Sequence, residues 1–101
     1  YNKEKQIDSL LNLKTIKRAE TNYILGVEYI AGNLVKKNVK KGLNYLTTAS
    51  SQGYAEAYLE LGKIYKTGKV VRKNNKKATN YFKDAAILGC KEAESYLPSN
   101  K

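Results

Sequence analysis

The chain repeats itself at a spacing of 36 residues, and this period limits its fold more than any other feature of the sequence. The two copies align without a gap, and most of the residues that recur are small, aromatic or helix-capping types. They are Leu25-Gly26 with Leu61-Gly62, Tyr29 with Tyr65, Gly32 with Gly68, Asn38 with Asn74, Lys40-Lys41 with Lys76-Lys77, Asn44-Tyr45 with Asn80-Tyr81, Ala49 with Ala85, Gly53 with Gly89, and Glu56-Ala57 with Glu92-Ala93. A gapless internal period of this length predicts tandem structural units that stack on one another.

Each copy also has the residue spacing of a pair of α-helices. In the second copy Ala57, Leu61 and Tyr65 recur every four residues, which places them on one face of a helix that Gly68 would end. Asn74 would then cap a second helix by accepting a hydrogen bond from one of its free N–H groups. The buried face of this second helix is predicted to be Ala78, Tyr81, Phe82, Ala85 and Ala86. A helix pair of this kind buries its apolar face only against a neighbouring pair.

The segments that flank the two copies continue the same pattern in weaker form. Residues 4–17 carry apolar residues in the register of a second helix, and Ala93 and Leu97 begin a further first helix that Pro98 would stop. We therefore predict an all-α fold, an α/α superhelical solenoid of about six helices, in a single domain. Its predicted units are a degenerate N-terminal half-repeat at 1–20, repeat 1 at 21–56, repeat 2 at 57–92 and a C-terminal cap at 93–101.

The repeated motif resembles the Sel-1-like repeat, a relative of the tetratricopeptide repeat. The second copy follows the family pattern at Ala57, Leu61, Gly62, Tyr65, Gly68, Val71, Lys77, Ala78, Tyr81, Ala85, Ala86, Gly89 and Ala93. The first copy departs from it at Thr21, Gly42 and Ser50, and both copies have Asn at the capping position where the family commonly has Asp. The resemblance covers residues 21–93 and implies an α/α superhelix that serves as an adaptor or binding scaffold, without chemistry of its own.

The composition lacks histidine and has a single cysteine, two residue types on which many catalytic and metal sites depend. The chain has no His and one Cys, so it can build neither a histidine-based triad, nor a His–Cys zinc site, nor an internal disulfide. Cys90 has no imidazole to activate it as a nucleophile, and it is expected to pack between repeats or to lie exposed. Glu56 and Glu60 lie one helical turn apart and are expected to be solvated. We therefore predict a non-enzymatic protein with no cofactor, no metal site and no small-molecule substrate.

Basic residues are concentrated in the links between the two helices of each copy. The chain has 19 Lys+Arg against 9 Asp+Glu, a formal net charge of +10. Because the copies stack in register, these links are predicted to form one continuous surface, beside helix N-termini that also attract anions. This surface fits an acidic partner, the alternative being a solvated loop surface without a binding role. We name it the basic ridge, and it comprises Lys36, Lys37, Lys40, Lys41, Lys69, Arg72, Lys73, Lys76 and Lys77.

A second candidate surface lies on the first helix of each copy, which lines the concave face in relatives of the tetratricopeptide repeat. In the first copy this surface is apolar, and it points away from the side of the helix that stacking requires. The second copy is mostly charged at the same positions. The alternative is that the N-terminal helix covers this surface. We name it the concave patch, and it comprises Tyr23, Ile24, Val27, Ile30, Leu59 and Lys63.

Together these features predict a protein–protein interaction module whose partner has an acidic surface. Sequence-specific binding of nucleic acid is disfavoured, because a single Arg lies among the lysines of the ridge and no aromatic residues alternate with them. Binding of an anion or of an anionic membrane surface to the ridge stays open as the alternative. The resemblance includes exported bacterial immunity proteins and host-interaction factors. The chain begins with Tyr1 and lacks Met, as a mature exported chain or a trimmed one would. A periplasmic or exported location is therefore favoured, with the cytoplasm as the alternative.

Overall fold

Five helices follow one another in residues 18–97, the part of the chain that the computed structural model describes. They are α1 (helical over 18–31), α2 (Val39–Ser51), α3 (Ala55–Thr67), α4 (Asn75–Ile87) and the short α5 (Lys91–Glu94). The described residues contain no β-strand, and the predicted all-α fold is confirmed. Helices α1 and α2 form the first pair, α3 and α4 the second, and α5 lies where a third pair would begin. The helix predicted at 4–17 and the stop predicted at Pro98 lie outside the described residues.

The second helix of each pair begins at the predicted asparagine cap. The side chain of Asn38 accepts a hydrogen bond from the backbone N–H of Lys41 at 3.0 Å, and Asn74 accepts one from Lys77 at 3.0 Å. Each cap satisfies an N–H group that the helix itself leaves without a partner. The first helix of the second pair ends at Gly68, whose φ of 67° is left-handed backbone that favours glycine.

The two helices of each pair touch at glycine residues. A Cβ atom at Gly26 would lie 2.6 Å from Leu46 Cγ, and one at Gly62 would lie 2.6 Å from Phe82 Cε1. These distances are shorter than van der Waals contact, so a side chain at either position would force its neighbours to shift. The two glycines therefore allow the helices of each pair to approach closely.

Two apolar cores hold the stack together, and each of them spans the boundary between copies. The first core is centred on Leu46 of α2 with Leu61 and Ile64 of α3. The second core joins α3, α4 and α5, and its buried residues are Leu59, Ala78, Phe82, Ala85 and Ala93. Burial of apolar side chains is the dominant favourable contribution to folding. Each helix pair is therefore stabilised by the pair that follows it, as a repeat stack requires.

Candidate partner-binding surfaces

All nine side chains of the basic ridge are exposed. Those of the first copy lie in the turn between α1 and α2 and in the first turn of α2, and those of the second copy occupy the equivalent segment between α3 and α4. Within the described part of the chain none of the nine forms a salt bridge, since the ion pairs there involve Lys63, outside the ridge. The structure therefore presents these charges to solvent without acidic neighbours that would neutralise them.

Two lysines of the ridge lie over aromatic rings at equivalent positions of the two copies. Lys41 Nζ is 4.8 Å from the ring centroid of Tyr29, and Lys77 Nζ is 4.6 Å from that of Tyr65. A cation over the face of an aromatic ring gains ~0.5–1 kcal/mol at an exposed site. The contact restricts the motion of each lysine side chain and leaves its positive charge accessible.

Each of these tyrosines stacks on a second tyrosine from the following helix. The centroids of Tyr29 and Tyr45 are 5.7 Å apart with ring planes at 9°, and those of Tyr65 and Tyr81 are 5.9 Å apart at 20°. All four rings are half-buried, and Tyr65 packs against the second core while Tyr81 packs against the first. Burial raises the pKa of Tyr81, and the charge of Lys77 acts in the opposite direction.

An open groove of about 410 Å³ lies beside the contact between Lys41 and Tyr29. Its walls carry three ammonium groups, one aromatic ring and the capping asparagine of α2. The turn that forms one wall is tightly closed, because a Cβ at Gly32, where φ is +73°, would lie 2.7 Å from Lys37 Cβ. These groups suit a carboxylate side chain. The lining residues are Tyr29, Val35, Lys36, Lys37, Asn38 and Lys41.

The concave patch is not the exposed face that the sequence predicts. Of its residues in α1 only Ile24 is exposed, at 52%. Tyr23, Val27 and Ile30 are half-buried and pack against the first core, which includes residues of α3. Burial, followed by the charge of the Glu60 carboxylate, raises the pKa of Tyr23. These apolar residues therefore pack against a core built from α2 and α3, and the expectation that they lie on an exposed surface is wrong.

The patch residues of the second copy also contact the next unit. Leu59 is only 5% exposed and belongs to the second core, so its expected exposure is wrong as well. Lys63 Nζ lies 2.9 Å from Glu92 Oε2, 4.0 Å from Glu60 Oε1 and 6.0 Å from the ring centroid of Tyr96. The hydrogen bond to Glu92 raises the pKa of Lys63. Lys63 thus joins α3 to α5 within the molecule.

Some exposed apolar side chains are not anticipated by the sequence analysis. Leu34 is 85% exposed in the turn that carries Lys36 and Lys37, and its backbone N–H donates to Glu28 Oε2 at 3.1 Å. The equivalent residue of the second copy, Val70, packs against the first core instead. The only sequence signal is the difference between Leu and Val at this position, which does not indicate exposure.

Two further exposed apolar residues lie at the C-terminal end of α4. Ile87 is 81% exposed and Leu88 is 46% exposed. They border a shallow open groove of about 260 Å³, between the C-terminal ends of α2 and α4. The corresponding residues of the first copy are Ser51 and Gln52, so the apolar character is specific to the second copy.

The described residues hold no group of three His, Cys, Asp or Glu side chains that could bind a metal ion. Cys90 is half-buried and packs against the second core, which agrees with the expected packing between repeats. Among residues 18–97, no helix combines the length and the apolar character that a membrane crossing requires.

A family model for the Sel1 repeat matches the chain twice, at residues 19–54 and 55–90. A comparison with curated protein sequences gives no match. The chain is similar to several solved structures of the same repeat class. Three of them are a protective antigen with an SLR fold from uropathogenic Escherichia coli (30% identity, TM-score 0.73), a Sel1 repeat protein from Oxalobacter formigenes (28%, 0.72) and cysteine rich protein B of Helicobacter pylori (31%, 0.73).

These three alignments cover 78%, 77% and 96% of this chain. In the same order, they cover 17%, 31% and 73% of the relatives, so the chain spans less than a third of the first two. Sel1 repeat proteins are generally protein-interaction modules, and their fold is typically a non-enzymatic scaffold. The two matched segments contain the helix pairs α1–α2 and α3–α4 and make up most of the sequence. This chain therefore belongs to the Sel1 repeat family.

Proposed function

We propose that this protein is an interaction module that binds an acidic surface of another protein through the basic ridge. Its nine exposed cationic side chains, repeated in two equivalent segments, support this proposal most directly. Surface lysines usually alternate with acidic residues, but here no acidic residue lies between Gly32 and Ala55 or between Leu61 and Lys83. A surface of one charge sign accelerates encounter with a partner of the opposite sign and suppresses binding to similarly charged proteins.

The burial of the concave patch also favours the ridge as the binding surface. Tyr23, Val27 and Ile30 are half-buried and pack against the first core, so they offer a partner only part of their apolar surface. Ile24 alone leaves too small an apolar area for a stable interface. The ridge is exposed in full, and a partner can reach it without any rearrangement of the stack.

The finer form of the proposal is that the acidic partner is a secreted effector or a host protein, and that the chain acts as an exported bacterial immunity or host-interaction factor. The relatives support this form through the bacterial class they belong to, since one is a protective antigen of uropathogenic Escherichia coli. This form of the proposal is tested by measuring the activity of purified candidate effectors, one at a time, with and without the protein. Inhibition of an effector by the wild-type chain and not by a ridge variant is the expected result.

The binding surface itself is tested with a labelled polyglutamate peptide and two variants of equal net charge. Lys36→Ala/Lys73→Ala removes two charges from the ridge, and Lys83→Ala/Lys91→Ala removes two exposed charges outside it. We expect the ridge variant to bind roughly threefold to tenfold more weakly than the wild type, and the control variant to bind almost normally. Binding should also weaken steeply with added salt.

Two results would count against this proposal. Equal weakening in both double variants would mean that the peptide senses net charge and not the ridge. Binding of the wild type to phosphatidylserine vesicles, without binding to the peptide, would instead support the alternative role at an anionic membrane surface.

A further inference from the structure

The ridge contains two ordered cationic groups in equivalent positions. Lys41 lies over Tyr29, and Lys77 lies over Tyr65, at distances that differ by only 0.2 Å, 4.8 against 4.6 Å. A lysine held by a ring loses less side-chain freedom on binding than a free one, so it contributes more to affinity. We therefore expect these two lysines, more than the others of the ridge, to favour partners whose carboxylates have a matching spacing.

The distance between the two groups follows from the stacking of the first helices. Tyr29 lies in the last turn of α1 and Tyr65 in the last turn of α3, and residues of α1 pack against the first core, which contains Leu61 and Ile64 of α3. Directly packed helices lie roughly 8–10 Å apart between their axes. An extended chain with three residues per turn rises about 3.1 Å per residue, so every third side chain points the same way at a spacing of about 9 Å. Acidic side chains at every third position would therefore match the two lysines.

The two ends of the ridge differ in one respect that gives the surface a direction. Leu34 in the first copy is 85% exposed next to Lys36 and Lys37, whereas the equivalent Val70 is packed into the first core. The Leu34 backbone is held by its hydrogen bond to Glu28, so the side chain projects from an anchored turn. An exposed apolar residue beside a charged groove resembles the apolar contact that adds specificity to an otherwise electrostatic interface.

We propose that the ridge binds an extended acidic segment of its protein partner, with carboxylates at every third position and an apolar side chain that contacts Leu34. This inference rests on the proposed function and adds to it a spacing and a direction. The carboxylates contact Lys41 and Lys77, and the groove beside Tyr29 receives the first of them. The apolar side chain lies beyond the first carboxylate, over the turn of the first copy.

The test uses three short labelled peptides whose binding is measured by fluorescence anisotropy at low salt. The first has Glu at every third position and a Leu at one end. The second has the same composition with its Glu residues contiguous, and the third has the spacing of the first with Ser in place of Leu. We expect the spaced peptide to bind roughly tenfold more tightly than the contiguous one. We also expect Leu34→Ser to weaken the first peptide severalfold and to leave the third unchanged.

The outcomes separate this inference from the proposed function. Equal binding of the spaced and contiguous peptides, with the ridge variants still defective, would overturn the spacing and leave the ridge as the binding surface. A loss with Leu34→Ser that is as large for the third peptide as for the first would overturn the contact with Leu34. Failure of all three peptides to bind, together with normal behaviour of the ridge variants, would overturn both proposals. Leu34 is exposed, so its substitution leaves the fold intact, as circular dichroism can verify.

Discussion

Gly62 lies directly against the ring of Phe82, so close that a Cβ at this position would stand 2.6 Å from Cε1, 2.7 Å from Cδ1 and 2.9 Å from Cζ. The glycine is on α3 and the ring is on α4, and Phe82 is almost completely buried. The ring cannot move away, because the second core surrounds it. The second helix pair is therefore sensitive to the size of the side chain at position 62.

Gly62→Leu should destabilise the protein strongly, although leucine favours helices more than glycine does. The new side chain overpacks the contact with Phe82, at a cost of about 1–3 kcal/mol or more in the free energy of unfolding. Thermal or urea unfolding measures this loss. The double variant Gly62→Ala/Phe82→Leu provides the control, since a smaller residue at 82 should recover part of what Gly62→Ala alone loses. A melting temperature unchanged by Gly62→Leu would show that the close approach does not exist.

Asn74→Asp should stabilise the protein and weaken its binding of acidic peptides. Both side chains cap a helix well, but the carboxylate adds a favourable charge at the N-terminus of α4, worth about 0.3–1 kcal/mol. The same charge lies among Lys73, Lys76 and Lys77, where it lowers the attraction of the ridge for an anion. Asn74→Ala is the matched control and should lose about 1 kcal/mol of stability. Tighter peptide binding by the Asp variant would be incompatible with the ridge as an anionic-partner site.

Val27→Asp and Ile24→Asp should differ in their effect on stability. Val27 packs against the first core, so a carboxylate there loses apolar contacts and hydration, at about 1–3 kcal/mol. Ile24 is 52% exposed, and its replacement should change the free energy of unfolding by about 0.5 kcal/mol or less. Urea unfolding of the two variants compares them directly. Equal losses would mean that Ile24 and Val27 share one exposed face, as the helical pattern of the sequence predicts.

The ion pair between Lys63 and Glu92 should contribute to stability at neutral pH and stop contributing in strong base. The hydrogen bond to Glu92 raises the pKa of Lys63, so the folded state holds this proton more tightly than the unfolded state. The contribution is therefore complete below the ordinary lysine pKa of 10.5 and is lost as the pH rises through the folded pKa. Because both side chains are partly exposed, it amounts to ~0.2–1 kcal/mol.

A double-mutant cycle of Lys63→Met and Glu92→Gln isolates this coupling from the other groups that titrate in the same range. Glu60, Glu92 and Tyr96 all face Lys63, and the coupling energy of the cycle reports only the contact between Lys63 and Glu92. A coupling energy that stays constant between neutral pH and strong base would contradict the assignment.

The sequence predicts the parts of the fold that depend on local chemistry and on the repeat register. Asn38 and Asn74 cap helices because their side chains reach an N–H group three residues on, and that distance is local. Gly26 and Gly62 recur at the repeat spacing, and each lies where the two helices of its pair touch. A helical wheel, in contrast, shows which side of α1 is apolar but not which neighbour covers it. The wheel therefore places Tyr23, Val27 and Ile30 on an open face, whereas in the structure they pack against the first core.

The exposure of side chains in the turns is a second feature that the sequence does not predict. Leu34 and Val70 occupy equivalent positions and have similar hydrophobicity, yet one is exposed and the other packs into a core. The difference depends on the residues that surround each turn in the fold, and the residue type at one position does not indicate them. The charges of the ridge were predictable because long cationic side chains in turns are rarely buried.

Chemical-shift mapping by NMR of the isotope-labelled protein tests the central claim most directly. A spaced acidic peptide is added at low salt, and the backbone amide signals are followed through the titration. The basic ridge predicts the largest shifts at residues 36–41 and 69–77, in both copies together, with reversal on addition of salt. Shifts confined to the surroundings of Ile24 and Lys63, or to Ile87 and Leu88, with the ridge signals unchanged, would contradict it.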